Sequence, residues 1–276
     1  MWAHLLQGLS SGQRAPRVPC NLSLGGDRCA ARRRFHPAPS SVRDSRCQRS
    51  RRSDRRVQFS QRARPDSSNR TYCFIDPAVQ ERGIGRRLME AALDRAHGAR
   101  GVRLLQEAYN MQSLSLYAVL GFEARELFVV MAGAATSTPP PPDWQIRPLT
   151  EADMQECASL HGRIHDYPRT NELRDALATG TPIVAIRGER VRAYMTSPAN
   201  WLANHGVGET EEDVRTLLLG AARIIKDPMS FLLPIRRAAL FRWCLEQGLR
   251  TIRPMMLMTI GEYRDPRGVY FPSVLY

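Results

Sequence analysis

The chain has 276 residues, 43% of them hydrophobic, which is enough to bury the core of one large or two modest domains. It carries 40 basic and 27 acidic residues, a formal net charge of +13. No run of about eighteen apolar residues occurs, so we expect no membrane-spanning helix.

The positive charge is concentrated in residues 1–70. This segment has sixteen arginines and four aspartates, a net charge of +12 that leaves about +1 for the rest of the chain. Arg, Ser, Pro and Gly dominate the segment, and no apolar periodicity is long enough for a core element. We therefore expect residues 1–70 to be disordered.

Several interpretations of this tail stay open. The absence of acidic residues before Asp27 is typical of a transit peptide, although the arginine-rich composition continues further than in such peptides. The charge would also suit an RNA-binding tail, but Trp2, Phe35 and Phe59 are too sparse to form a stacking platform, and we do not expect a nucleic-acid partner. A misread start in front of the real coding region is the favoured interpretation, and a solvated tail without a specific role is the remaining one.

A strand, a glycine loop and a helix follow the tail. Apolar residues predict a strand over Tyr72–Ile75, and apolar positions at helical spacing predict a helix from about Ile84 to Ala96. Gly83 and Gly85 lie between them, where glycine lets a phosphate approach the backbone and the first helical amides have no internal partner. This order predicts a site for a diphosphate. Three arginines add positive charge there: Arg82, Arg86 and Arg87.

The chain then continues as β-α-β. The pattern predicts a strand at Val102–Leu105, a helix at Met111–Leu120 and a strand at Leu127–Met131. Gly121 stands where a left-handed residue would end the helix, and Phe122 follows as the apolar residue that packs back.

Two motifs in this region resemble those of the GCN5-related N-acetyltransferases (GNAT). The run Gln80-Glu81-Arg82-Gly83-Ile84-Gly85 matches the pattern Gln/Arg-x-x-Gly-x-Gly/Ala. The run from Asn110 to Phe122 matches Asn-x-x-Ala-x-x-Leu-Tyr-x-x-x-Gly-Phe, except that Ser113 replaces the alanine. Two motifs in the right order and separation make the resemblance specific. It implies an α/β fold with a mixed sheet, that of the acetyl-CoA N-acyltransferases.

The resemblance also implies roles for individual residues. Amides of the glycine loop would hold the diphosphate of acetyl-CoA, Phe74 and Ile75 would run beside its pantetheine arm, and Tyr117 would be the general acid. A phenol with a pKa near ~10 is protonated at neutral pH and can donate to the departing thiolate. The implied cofactor-binding residues are Phe74, Ile75, Gln80, Glu81, Arg82, Gly83, Ile84, Gly85, Arg86 and Asn110.

The implied function is transfer of an acetyl group from acetyl-CoA to a primary amine on a small molecule or a peptide. The general base is not assigned, since Glu81, Glu107 and water are all candidates. The alternative is a truncated, non-catalytic remnant that binds acetyl-CoA weakly or not at all, or acts as an interaction protein. The reason is size: residues 71–131, here called the first copy, form the C-terminal half of one domain, a length at which a core is marginal.

The proline-rich segment 132–143 is predicted to be a linker. After it, Trp144–Pro148 predicts a strand, and Thr150 with Asp153 resembles a capping box that opens a helix. This resembles the opening of another domain of the same family, so residues 144–276, here called the second copy, imply a tandem arrangement. Further predicted helices are 153–164, 171–178, 211–225 and 238–247, and further predicted strands are 183–186, 191–196, 230–233, 251–260 and 269–275.

The second copy has lost the residues that would hold the cofactor. Its loop has four acidic residues in place of the basic ones, which would repel a diphosphate, while Thr210 is expected to cap the following helix. The four acidic residues of the loop are Glu209, Glu211, Glu212 and Asp213. Trp243 stands near the position expected for the general-acid tyrosine, and an indole cannot donate a proton as a phenol does. The second copy is therefore predicted to be degenerate.

Cysteine and histidine patterns complete the prediction. Cys73, Cys157 and Cys244 lie in apolar contexts typical of buried free thiols, which favours a reducing compartment and a cytoplasmic protein. His161 and His165 are four residues apart on a predicted helix, but no glutamate lies between them in an H-E-x-x-H arrangement. No metal site is expected.

Overall fold

The computed structural model of the protein describes residues 57–62, 70–75, 80, 82–136, 139–165 and 169–274. Contacts divide the chain into two compact units, Met1–His97 and Gly98–Tyr276. The division falls just after the first described helix, and the segment 132–143 lies inside the second unit.

The first unit contains a two-stranded antiparallel sheet and a helix. Strand β1 (Val57–Arg62) pairs with β2 (Arg70–Ile75), and helix α1 (Ile84–Arg95) follows. The prediction that residues 1–70 are disordered is therefore too broad, because β1 lies within this segment. The alternation of Val57 and Phe59 with polar residues is a strand pattern, but it covers only six residues in an arginine-rich context. The other residues of the segment 1–69 lie outside the described residues.

The second unit contains nine strands and five α-helices among its described residues. In chain order they are β3 (Gly101–Glu107), α2 (Met111–Val119), β4 (Glu123–Gly133), β5 (Trp144–Pro148), α3 (Met154–His165), α4 (Thr170–Thr179), β6 (Ile183–Arg187), β7 (Arg190–Met195), β8 (Gly206–Gly208), α5 (Glu211–Ile224), β9 (Met229–Pro234), α6 (Ala238–Glu246), β10 (Arg250–Gly261) and β11 (Val269–Phe271). Every helix and strand predicted here is confirmed in type. Strand β8 was not predicted.

The two copies share a four-stranded antiparallel sheet with the order β3-β10-β4-β9. Strand β10 of the second copy lies between β3 and β4 of the first copy, with Leu257 opposite Leu105 on one side and Glu126 on the other. Strand β4 in turn lies between β9 and β10. Each copy therefore completes the sheet of the other. The strands that pair with β3 and β4 of the short first copy are β9 and β10, which lie within residues 229–261.

The second sheet, with the order β11-β8-β7-β6-β5, belongs to the second copy alone. Alternate residues of β6 enter two hydrophobic clusters: Ile183 and Ala185 join one that includes Leu217 of α5, and Val184 joins one that includes Leu160 of α3. A sheet with helices on both faces is the expected consequence of this near-continuous apolar pattern. In the part of the chain that the structure describes, no helix has the length and apolar character needed to cross a membrane.

Candidate functional site

The start of α1 has the backbone geometry of an anion site. Its N-cap residue, Gly83, is in the left-handed region at φ 69° and ψ 8°, and no side chain caps the helix. Glycine adopts this conformation without the strain that other residues meet. The carbonyl of Gly83 accepts a hydrogen bond from the Arg87 amide (3.2 Å), so the helical ladder starts there. The amides that precede Arg87 in the first turn are those that a helix leaves for an external acceptor.

The charges around this helix start also favour an anion. Arg82, Arg86 and Arg87 are exposed, and the first turn of α1 contains no acidic residue. Arg86 lies 3.9 Å from Glu90, but both side chains are about half exposed (48% and 49%), so the pair is weak and Arg86 can turn toward a ligand. The helix dipole adds to the arginine charge.

The structure also gives the backbone positions of other predicted site residues in the first unit. Phe74 and Ile75 are the last two residues of β2, opposite Gln58 and Val57 of β1. Gln80 is exposed in a turn before the helix. Glu81 lies outside the described residues, so its role as ligand or base stays a prediction.

The second motif begins at a helix cap. Asn110 is the N-cap of α2, and its side-chain oxygen accepts a hydrogen bond from the Ser113 amide (3.1 Å). The Ser113 hydroxyl is 2.9 Å from Oε1 of the buried Gln106 and 3.1 Å from the Asn110 carbonyl, and it can donate to either. The serine that departs from the family pattern thus anchors α2 to β3. The cap uses the oxygen of the Asn110 amide, and its NH2 group is chemically able to donate to a cofactor.

Tyr117 is held at the other end of the same helix. Gly121 has φ 94°, and the Phe122 amide donates to the Tyr117 carbonyl (2.9 Å) while the Gly121 amide donates to Ala118 (3.0 Å). This is the predicted Schellman motif. The Tyr117 ring is half-buried and meets the buried Phe122 ring edge-on at 6.0 Å between centroids. The cap fixes the end of the helix, and the ring of Tyr117 packs against Phe122.

Glu107, a candidate base, ends β3 and has a partner within the sheet. Nη1 of Arg253 donates to its Oε1 (2.6 Å), and both side chains are about 30% exposed. The ion pair holds this carboxylate against Arg253 in the sheet, which weakens the case for Glu107 as the general base.

The equivalent loop of the second copy is built differently. Thr210 caps α5, and a capping box joins it to Asp213: the Asp213 amide donates to Thr210 Oγ1 (3.1 Å), and the Thr210 amide donates to Asp213 Oδ2 (2.9 Å). The first turn carries three acidic residues. The predicted cap is confirmed, and the helix start is closed by its own side chains.

The equivalent of Tyr117 in the second copy is Cys244 rather than the neighbouring Trp243. At the end of α6, Gly248 has φ 96°, the Leu249 amide donates to Cys244 (3.1 Å), and the Gly248 amide donates to Leu245 (3.1 Å). This repeats the backbone geometry around Gly121. Cys244 is fully buried, and burial raises its pKa to about 12. Such a thiol neither reaches a substrate nor ionises at neutral pH.

Residues 51–124, which contain both motifs and β1, match the family model of the acetyltransferase (GNAT) domain. The resemblance to the GNAT family is thus confirmed over this segment, about a quarter of the chain. The match begins before the predicted first copy, in agreement with the position of β1. Among curated proteins, no match to the sequence is found.

Three solved structures of acetyltransferases or GNAT proteins are similar to this chain at low sequence identity. A provisionally assigned acetyltransferase from Pyrococcus horikoshii is 12% identical with a TM-score of 0.61, over 77% of this chain and 74% of that one. A GCN5-related N-acetyltransferase from Sphaerobacter thermophilus is 14% identical with a TM-score of 0.46, over 77% and 79%. A tandem GNAT protein from the clavulanic acid pathway is 13% identical with a TM-score of 0.46, over 77% and 82%. The Pyrococcus structure carries the conclusion that the fold is GNAT-like.

Proposed function

We propose that this protein transfers an acetyl group from acetyl-CoA to a primary amine of a small molecule or peptide. The observation that carries the proposal is the start of α1. A left-handed Gly83 without a side chain, an uncapped first turn and exposed arginines fit a diphosphate, and this loop lies within the segment that matches the acetyltransferase domain.

In this proposal the glycine loop binds the cofactor, and the second motif supplies the group that takes part in the reaction. Backbone amides from Arg82 to Arg86 hold the diphosphate, and the backbone at Phe74 and Ile75 runs beside the pantetheine arm. The NH2 group of Asn110 donates to the cofactor. Each of these contacts costs little ordering energy by itself, because Gly83 in the first unit and the α2 cap in the second already have defined backbone conformations.

The reaction exchanges a C–S bond for a C–N bond and moves two protons, and the Tyr117 phenolate regains its proton from water. The neutral amine attacks the thioester carbonyl, a C–N bond forms, the C–S bond breaks, and the phenol of Tyr117 gives its proton to the leaving sulfur. The amine gives up its own proton to water or to a carboxylate such as Glu81. A backbone amide near the strand polarises the carbonyl oxygen.

The test is calorimetric titration of acetyl-CoA into the full chain and into two glycine variants. Gly83→Glu places a carboxylate at the proposed diphosphate site. Gly98→Glu is the matched control, because Gly98 also has a positive φ (85°), is exposed and leaves open space for an added Cβ, but follows the opposite end of α1. Both variants place the same charge at a glycine with a left-handed backbone. We expect binding to be lost by about 100-fold or more in Gly83→Glu and to persist in Gly98→Glu.

Turnover then separates an enzyme from a remnant. Release of CoA is followed chromatographically with a panel of primary amines. Turnover that depends on the amine supports the proposal. Binding of acetyl-CoA without turnover of any amine favours the non-catalytic alternative, and equal loss of binding in both glycine variants contradicts the placement at α1.

A further inference from the structure

Three histidines from two segments converge inside the second unit. His161 and His165 lie one turn apart on the same face of α3, and His205 immediately precedes β8. One ring nitrogen of each can be chosen so that all three lie within 4.8 Å of one another. All three residues are buried, and His161 and His205 are 0% and 3% exposed. The i, i+4 spacing of His161 and His165 is visible in the sequence. The approach of His205, which immediately precedes β8, is not.

Aromatic packing holds these rings. The rings of His161 and His165 are stacked, with centroids 4.4 Å apart and planes 21° apart, and the His205 ring is tilted at 5.1 Å from His161. Tyr270 meets His165 edge-on at 5.3 Å, and its hydroxyl donates to the buried Glu126 (2.8 Å). The imidazoles are thus positioned by neighbours on β4 and β11 as well as by their own segments.

The three side chains are of a type that transition metal ions bind. A neutral imidazole offers one lone pair to a metal ion.

We propose that His161, His165 and His205 form a binding site for a divalent transition metal ion, with Zn²⁺ as the best match. Three imidazoles with a water molecule are a known zinc coordination set, and an all-nitrogen set disfavours Mg²⁺ and Ca²⁺. With Zn–N bonds of about 2.0–2.1 Å, tetrahedral ligand nitrogens stand about 3.3 Å apart. The observed nitrogens need to close by about 1.5 Å at most, which side-chain rotation can supply.

Arg169 opposes metal binding in the present arrangement. Its Nη1 lies 3.0 Å from Nδ1 of His205, and its guanidinium also pairs with Glu172. A guanidinium repels a cation, and a ligating imidazole needs an acceptor, not a donor, at its other nitrogen. Metal binding therefore requires Arg169 to turn away from His205 while it keeps its contact with Glu172. Removal of the Arg169 charge should therefore strengthen metal binding.

The experiment uses the full chain without an affinity tag, stripped of metal with a chelator and titrated with Co²⁺. Tetrahedral Co²⁺ gives an intense visible spectrum, and Zn²⁺ should abolish it by displacement. We expect His161→Gln and His165→Gln each to weaken binding by at least about 100-fold, since even outer partners of metal ligands contribute 10- to 100-fold. His97→Gln is the matched control, because His97 is exposed just after α1. It should leave the affinity unchanged.

A double variant tests the opposing charge. Arg169→Met with Glu172→Gln removes the ion pair without leaving a lone buried carboxylate, and we expect it to raise the affinity about tenfold or more. The proposal is overturned if the folded wild-type chain gives no tetrahedral Co²⁺ spectrum, or if His161→Gln and His165→Gln bind as tightly as the wild type. The wild-type spectrum and the double variant involve no histidine substitution, so they decide the proposal even where a histidine variant fails to fold.

Discussion

The two helix starts that follow a glycine-containing loop, at α1 and at α5, differ in what satisfies their first amides. Helix α1 starts at a left-handed glycine and has neither a side-chain cap nor an acidic residue in its first turn. Helix α5 starts at Thr210, and its capping box and three acidic residues occupy the same positions. An anion can therefore approach α1, whereas at α5 it meets repulsion and amides that already have an acceptor.

The ends of α2 and α6, in contrast, share their backbone geometry and differ in their side chains. The Schellman motifs at Gly121 and Gly248 have the same two hydrogen bonds and nearly the same φ, 94° and 96°. The side chain four residues before the glycine differs completely: a half-buried Tyr117 in one and a fully buried Cys244 in the other. The same backbone cap thus ends both helices, while of these two side chains only Tyr117 is partly exposed. We expect chemistry in the first copy and structural support from the second.

The largest expected effect comes from removing the proposed acid. Tyr117→Phe keeps the ring that packs on Phe122 and removes only the hydroxyl. We expect kcat to fall about 100-fold or more, as is usual for loss of a general acid, while the dissociation constant for acetyl-CoA stays the same. Cys244→Ala, at the equivalent position of the second copy, should leave kcat unchanged in the folded protein. Steady-state kinetics and calorimetry measure both quantities, and a loss of turnover in folded Cys244→Ala alone would reverse the assignment of the two copies.

A second prediction concerns the acid that opens the second copy. The Arg147 guanidinium binds both oxygens of Asp153 (2.7 and 2.8 Å), and with the Thr150 amide and hydroxyl it lowers the pKa of the carboxyl to about 2. A depressed pKa in the folded state means that this stabilisation is present above the unfolded pKa, near ~4, and is lost as the pH falls toward 2. Asp153→Asn should therefore lower the free energy of unfolding by about 2 kcal/mol at pH 7.

Urea titrations at several pH values check this prediction. The difference in unfolding free energy between wild type and Asp153→Asn should shrink between pH 5 and pH 2. Glu151→Gln is the control, because Glu151 is an exposed carboxylate in the same turn. A difference that does not change with pH would mean that packing, not the ionised carboxylate, explains the effect.

Local signals in the sequence predicted most of these elements, because helix periodicity and caps depend on neighbouring residues. Examples are the capping box at Thr150, which opens a 3-10 turn (Glu151–Asp153) leading into α3, the start of α5 at Thr210 and the end of α2 at Gly121. Strand β8 was missed because Gly206 and Gly208 look like loop residues. The structure shows another reason for them: a Cβ would come within 2.8 Å of Phe271 at Gly206 and 2.5 Å of Val214 at Gly208.

Long-range pairing was the other part that the sequence could not provide. Nothing local in β10 indicates that it lies between β3 and β4, since its apolar pattern would suit any central strand. The same limit applies to the histidines, because only the pairing of β8 with β7 and β11 carries His205 to α3. The diphosphate loop and the Tyr117 motif could be predicted because each lies within one segment, and the histidine cluster was missed because it needs two segments.

The smallest expected effect tests the closed helix start directly. Thr210→Ala removes the hydroxyl that accepts from the Asp213 amide, and loss of such a cap costs about 1 kcal/mol of stability. If acetyl-CoA binds at α1 and not at α5, the cofactor should raise the melting temperature of wild type and Thr210→Ala by the same amount. Thermal unfolding with and without acetyl-CoA measures this. A cofactor-induced shift that disappears in Thr210→Ala would place the cofactor beside α5, because a cap at an unoccupied helix start changes stability but not its response to the ligand.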